Sequence, residues 1–195
     1  MSLPNPLPAS LDLHTPRLRL RPLRAGDAAA MFPDMADPEV SRWMAWDPHQ
    51  DIAETEAFVA HEAARIEAGR GVTWAIEEDG AFRGIFSLIG LMRTHRVLTY
   101  DRAEAAYWLG AAHRGRGLAT EAGQAVLGFA FGPLGLHKLH VSHFGANMAS
   151  RALIQRLGFR FVGVQRQEFR KAGIWHDHHL YELLDEEFAA REHAR

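Results

Sequence analysis

A chain of 195 residues, 47% of them hydrophobic, can bury the core of one domain. Its formal net charge of −2 argues against a global basic field for nucleic acid, and no apolar run reaches the ~20 residues of a membrane helix. The absence of cysteine excludes disulfides, thiolate metal sites and a cysteine nucleophile, and it fits a reducing compartment, the cytoplasm.

The opening "MSLPNPLPASLDLHT" lacks a charged stretch followed by an apolar one. It reads as a flexible, Pro-rich leader over residues 1–14, ahead of a single domain at 15–190. From Arg17, "RLRLRPL" alternates polar and apolar residues, a strand ended by Pro22 and Gly26. Asp27 then suits the N-cap of a helix that Pro33 should limit. A short helical turn and a loop lead into a long amphipathic helix. Ile52, Thr55, Phe58, Val59, Ala63 and Ile66 share one face of it, and Gly69 to Gly71 close it.

"VTWAIEE-DG-AFRGIFSLIGL" predicts a hairpin turning at Asp79-Gly80. A further strand is expected around Glu104 to Gly110. A helix follows from Leu118, with Leu118, Ala122, Val126, Phe129 and Ala130 on one face and Gly132-Pro133 as its stop. "HKLHVSHF" reads as a strand. "NMASRALIQRLGF" reads as a helix with Asn147 as N-cap and Gly158-Phe159 as its glycine stop. Two closing strands, "RFVGVQRQEF" and "IWHDHHLYELL", precede a polar helical tail. The order is neither all-β nor regularly βαβ, which suggests one mixed sheet with helices on its faces.

The stretch "AAHRGRGLATEA" places glycines and arginines between a strand and a helix. Free N–H groups and the helix dipole make such a start an anion seat, and glycine lets the backbone approach a phosphate. A solvated tight turn would leave the same trace. The spacing lacks the Walker GxxxxGK[ST] pattern, and Thr120 stands where GxGxxG needs its third glycine.

The match is Arg114-x-x-Gly117-x-Ala119. It resembles the [Q/R]-x-x-G-x-[G/A] pyrophosphate loop of the GNAT N-acetyltransferases. "TPRLRLRPLRAGDAAAMF", "AEAAYWLGAAHRGRGLATEA" and "HFGANMASRALIQRLGFRFVG" together resemble the RimJ/RimL-like, ribosomal-protein branch, over about Thr15 to Glu187. The resemblance implies an α+β fold with a mixed, mostly antiparallel sheet, splayed between the strand before the loop and "HKLHVSHF". It implies acetyl-CoA as donor, a primary amine as acceptor, and no metal. The amine is either a protein N-terminus or a small molecule, and homodimers are common in that branch. Residues expected at CoA are Leu109, Ala111, Arg114, Gly115, Arg116, Gly117, Leu118, Ala119, Thr120 and Asn147.

Acetyl transfer needs a base for the ammonium, donors for an oxyanion and a proton for the leaving sulfur. Strand amides near Leu109 to Ala111 are candidate oxyanion donors. Many GNATs carry a tyrosine acid four residues before the Gly-Phe turn; here that position is Ile154. The resemblance implies Ser150 of N-x-x-S as acid instead. As base it implies Glu168, with Glu104 at the place where other GNATs work through water; an ordered water chain serving neither carboxylate is the third candidate. Without cysteine, direct attack in a ternary complex is expected. His176 and His178 of "HDHH" share a strand face, but no third metal ligand is identifiable. Trp43 and Trp46 are candidates for an aromatic acceptor wall. Two readings from other classes remain open, a non-catalytic acyl-CoA-binding or sensing module and a site for another phosphate ligand.

Overall fold

The computed structural model describes residues 7–193. Eight strands among them form one sheet in the order β1-β2-β3-β4-β5-β6-β8-β7. These are β1 (Leu13–His14), β2 (Leu18–Pro22), β3 (Val72–Glu78), β4 (Ala81–His95), β5 (Leu98–Leu109), β6 (Lys138–Phe144), β7 (Arg160–Lys171) and β8 (Ile174–Leu184). The helices are α1 (Ala28–Met35), α2 (Pro38–Ser41), α3 (Ile52–Glu67), α4 (Leu118–Phe131), α5 (Met148–Leu157) and α6 (Asp185–His193). None is long and apolar enough to cross a membrane. The architecture is the expected mixed, mostly antiparallel α+β fold.

Neighbouring strands run antiparallel except β5 and β6. A parallel pair needs a crossover, and α4 supplies it. The β5–β6 ladder is short. It pairs Arg102 to Ala105 with Lys138 to Val141 and then stops. Past that point Ala106 to Leu109 stay with β4, and Ser142 to Phe144 stay with β8. The sheet therefore opens into a V between β5 and β6, and the cavities described below lie along its arms.

The period-2 alternation of strands sends side chains to two cores. Leu20, Trp74, Ile76 and Phe86 join the core that includes Leu118, Ala122, Val126, Phe129 and Ala130, the α4 face read from sequence. Ala75, Ile85 and Trp108 point the other way, against Met31, Met35 and Val59 of α1 and α3. Fully burying such a side chain contributes about 1.5–3 kcal/mol. This two-sided burial fixes the register of β5.

Several local expectations are corrected. Pro33 does not limit α1, which runs on to Met35 with Ala36 N donating to Phe32 O at 2.8 Å. Asp27 does not cap α1 through its side chain. Its carboxylate receives Arg21 at 2.7 and 2.8 Å and the Arg24 amide at 2.7 Å, and Arg21 also holds Glu77. Burial raises the Asp27 pKa, but these charge-assisted bonds outweigh it and leave the carboxyl below its usual range. Ile52 is 38% exposed. Glu62, outside the expected apolar face, is instead buried on α3 because Thr73 and Arg65 satisfy its carboxylate. β5 begins at Leu98, well before Glu104, because β4 continues past Gly90 to pair with it.

The hairpin at Asp79-Gly80 forms as read, with φ of 52° and 74°, the pair of positive values that a type I′ turn requires. Of the leader expected to be flexible, residues 1–6 lie outside the described residues. Residues 7–14 pack on the sheet: β1 pairs with β2, and Trp74 Nε1 donates to Leu11 O at 2.6 Å.

Candidate active site

β5 ends at Leu109, and a single 3-10 turn at Ala111–His113 leads to Arg114. Gly115 and Gly117 follow with φ of 74° and 81°. That left-handed pair folds the backbone tightly onto the start of α4, a conformation most side chains resist. Gly117 caps α4 without a side chain. The first bond of the helix is Glu121 N to Gly117 O at 3.1 Å. The amides of Leu118, Ala119 and Thr120 thus have no acceptor inside the helix, and the helix dipole adds positive potential there.

The arginines of the loop are partly spent. Arg116 Nη2 lies 2.8 Å from Glu78 Oε1, and Arg83 holds the other oxygen at 3.1 Å. Burial pushes the Glu78 carboxyl up, but these two guanidinium bonds prevail and hold it below the usual range. Arg114 donates to the carbonyls of Leu109 at 3.3 Å and Glu39 at 3.2 Å. The loop is braced from β2 as well. Arg17 donates to Arg116 O at 3.2 Å and pairs with Glu121 at 2.6 Å.

Two cavities flank the V. The first, about 430 Å³, is lined by Leu109, Arg114, Gly115, Gly117, Leu118, Ala119, Thr120 and Asn147, among others. Ala111 and Arg116 were expected there too, but neither lines it. Arg156 of α5, which sequence reading missed, does line it and donates to Thr120 Oγ1 at 3.3 Å. The second cavity, about 670 Å³, is lined by Glu104, Ser142, His178, Trp43, Phe144 and Phe169, among others. Glu168 is exposed beside the bulge of β7 and does not line it. Trp46 packs on Trp108 and His49 and lines neither.

The cavities share Trp43, Met44, Tyr107, Asn147 and Ser150. Ser150 sits at this junction. Its backbone amide donates to Asn147 Oδ1 at 3.1 Å, the helix cap read from sequence. That bond uses the amide oxygen of Asn147 and leaves its NH2 group for other partners. The Ser150 hydroxyl lies 2.8 Å from the Tyr107 hydroxyl. Tyr107 stacks on Phe86, centroids 5.3 Å apart, which fixes the ring. Burial pushes the Tyr107 phenol up to about 12, against a smaller lowering by Ser150.

A tyrosine therefore does reach the site, but from β5. Ile154, at the position where many GNATs carry their tyrosine, is fully buried in the core. The amide of Gly110 is not available as an oxyanion donor, since it donates to Arg83 O at 3.0 Å. In "HDHH", His176 packs near Phe144 at 5.2 Å and His178 on Phe169 at 5.1 Å. No group of three or more His, Asp or Glu among the described residues could hold a metal ion. Burial lowers the His178 pKa, partly opposed by the charges of Glu104 and Glu168.

A strand edge freed by the V, a left-handed glycine loop and a helix start in line with them fit an extended ligand that ends in a pyrophosphate. The family model "Acetyltransferase (GNAT) domain" matches residues 17–160, and the chain belongs to that family of acetyl-CoA-dependent N-acetyltransferases. The chain is 31% identical to the N-acetyltransferase YoaA of Bacillus subtilis (strain 168), itself uncharacterized, over 88% of this chain and 96% of that one. RimL, a ribosomal L7/L12 α-N-protein acetyltransferase solved with coenzyme A, superposes with a TM-score of 0.82 at 18% identity, over 89% of this chain and 97% of that one. RimJ of Mycobacterium smegmatis, solved with CoA-disulfide, gives 0.77 at 25% identity, over 93% of each chain.

Proposed function

We propose that this protein moves acetyl from acetyl-CoA to a primary amine by direct attack, with both substrates bound together. The observation that carries this is the meeting of the two cavities at Tyr107, Asn147 and Ser150. The first cavity takes the donor, as the coenzyme A bound to RimL and RimJ supports. The second takes the amine. The lack of cysteine supports a route without an acetyl-cysteine step, and work in the reducing cytoplasm.

In this reading the amides of Leu118, Ala119 and Thr120 hold the pyrophosphate, and Asn147 uses its NH2 group on the pantetheine arm. The donor supplies acetyl as a thioester: the amine nitrogen forms the C–N bond as the C–S bond breaks. Glu104 takes the proton released by the nitrogen. It lines the acceptor cavity beside the amine and takes the proton through a bridging water, as the family resemblance implies. Ser150 donates its hydroxyl proton toward the departing sulfur. Tyr107, protonated at working pH, donates to Ser150 Oγ and so leaves that proton free to point into the cavity. The direct test is thiol release from acetyl-CoA on adding amines. Release that requires an amine supports transfer. Tight acetyl-CoA binding with no amine-dependent release would favour the sensing module.

Gly117→Val tests the donor loop. It forces a β-branched residue to φ 81°, a strain of ~1–3 kcal/mol. Titration calorimetry should show coenzyme A binding weakened about tenfold. Arg116→Ala should cost less, because that guanidinium is already held by Glu78. The reverse order would mean that side-chain charge, rather than the loop amides, grips the pyrophosphate.

A further inference from the structure

The acceptor cavity has a chemistry of its own. Three aromatic rings from separate elements form one wall. The Phe144 centroid is 4.4 Å from Phe169 and 5.8 Å from Trp43. Trp43 belongs to the segment after α2, which has little secondary structure to hold it. Lys171 holds that segment. Its Nζ donates to the carbonyls of Ser41, Met44 and Trp46 at 2.8, 2.7 and 2.7 Å. An ammonium has three protons, so all three are engaged and the wall is set in place.

The charges are distributed unevenly. Asp47 is 89% exposed at the rim and lies 3.6 Å from Lys171, so its charge is largely balanced. Arg170 also lines the cavity. Glu104 is different: among the described residues it accepts a hydrogen bond from Ser142 Oγ at 3.4 Å, and no cation pairs with it. The cavity thus offers one free carboxylate and one aromatic wall. With Lys171 and Asp47 paired, Arg170 is the remaining cation of these three, and a polyamine would bring further ammonium groups toward it, where like charges meet.

We propose that the acceptor is a primary monoamine with an apolar, ring-bearing arm, its ammonium at Glu104 and its arm against Trp43, Phe144 and Phe169. This rests on the acetyl-transfer reading above. His178 suits the assignment. It sits edge-on to Phe169 and, held neutral by burial at neutral pH, adds no cation to the site.

The test compares kcat/KM for phenethylamine, ethylamine, spermidine and a short peptide with a free N-terminus, with thiol release as readout. Phenethylamine should exceed each of the others by at least about tenfold, the scale on which a pocket distinguishes apolar groups. Phe169→Ala should bring the phenethylamine to ethylamine ratio close to one. Trp43→Leu, on a different element, should lower the same ratio, which covers the case of one variant failing to fold. A preference for spermidine or the peptide, or a ratio that neither substitution moves, overturns the proposal while leaving acetyl transfer intact. Thiol release with none of the amines overturns both readings.

Discussion

Glu104→Gln should lower kcat by on the order of 10²-fold, with little change in the KM for acetyl-CoA. The amide keeps the size of the side chain and its contact with Ser142 but cannot take a proton. Glu104 lines the acceptor cavity and pairs with no cation among the described residues, whereas Glu168 is exposed and outside the lining. Glu168→Gln should therefore cost less than Glu104→Gln, in steady-state rates measured across a pH series. A larger loss from Glu168→Gln would return the base to the residue that the family resemblance favours.

Ser150→Ala should lower kcat by on the order of 10² to 10³, through loss of the donor to the leaving sulfur. Tyr107→Phe should lower it about tenfold, the scale of one hydrogen bond at ~1.5 kcal/mol. Because the two hydroxyls are 2.8 Å apart and Tyr107 is taken to act through Ser150, the effects should not multiply. The double variant should match Ser150→Ala alone. Losses that multiply would mean that Tyr107 contacts the reacting groups by itself.

Much of this was legible in the sequence, for identifiable physical reasons. The α4 face, the Asp79-Gly80 turn and the Asn147 cap are local events, set by periodicity and backbone preference within a few residues. The donor loop was legible too, since its two glycines and the following helix are contiguous. What escaped were pairings across the chain. The neighbour of Ser150 is Tyr107, and nothing in "EAAYWLG" shows that its tyrosine reaches the start of α5. The capture of Arg116 by Glu78 and of three carbonyls by Lys171 depends on the same long-range geometry. Asp27 was read as a cap because caps are local, but a buried arginine from β2 made the stronger claim on it. Glu104 and Glu168 were separable only once the V placed one at the cavity and the other beside the β7 bulge.

Central to this account is an amine and a thioester that meet at Ser150 while both are bound. An initial-rate matrix measures this most directly, with thiol release followed as acetyl-CoA and the amine are both varied. Intersecting double-reciprocal lines are the expected result, since each substrate has its own cavity and both must be filled before transfer. Parallel lines, together with acetylated protein isolated in the absence of amine, would contradict it.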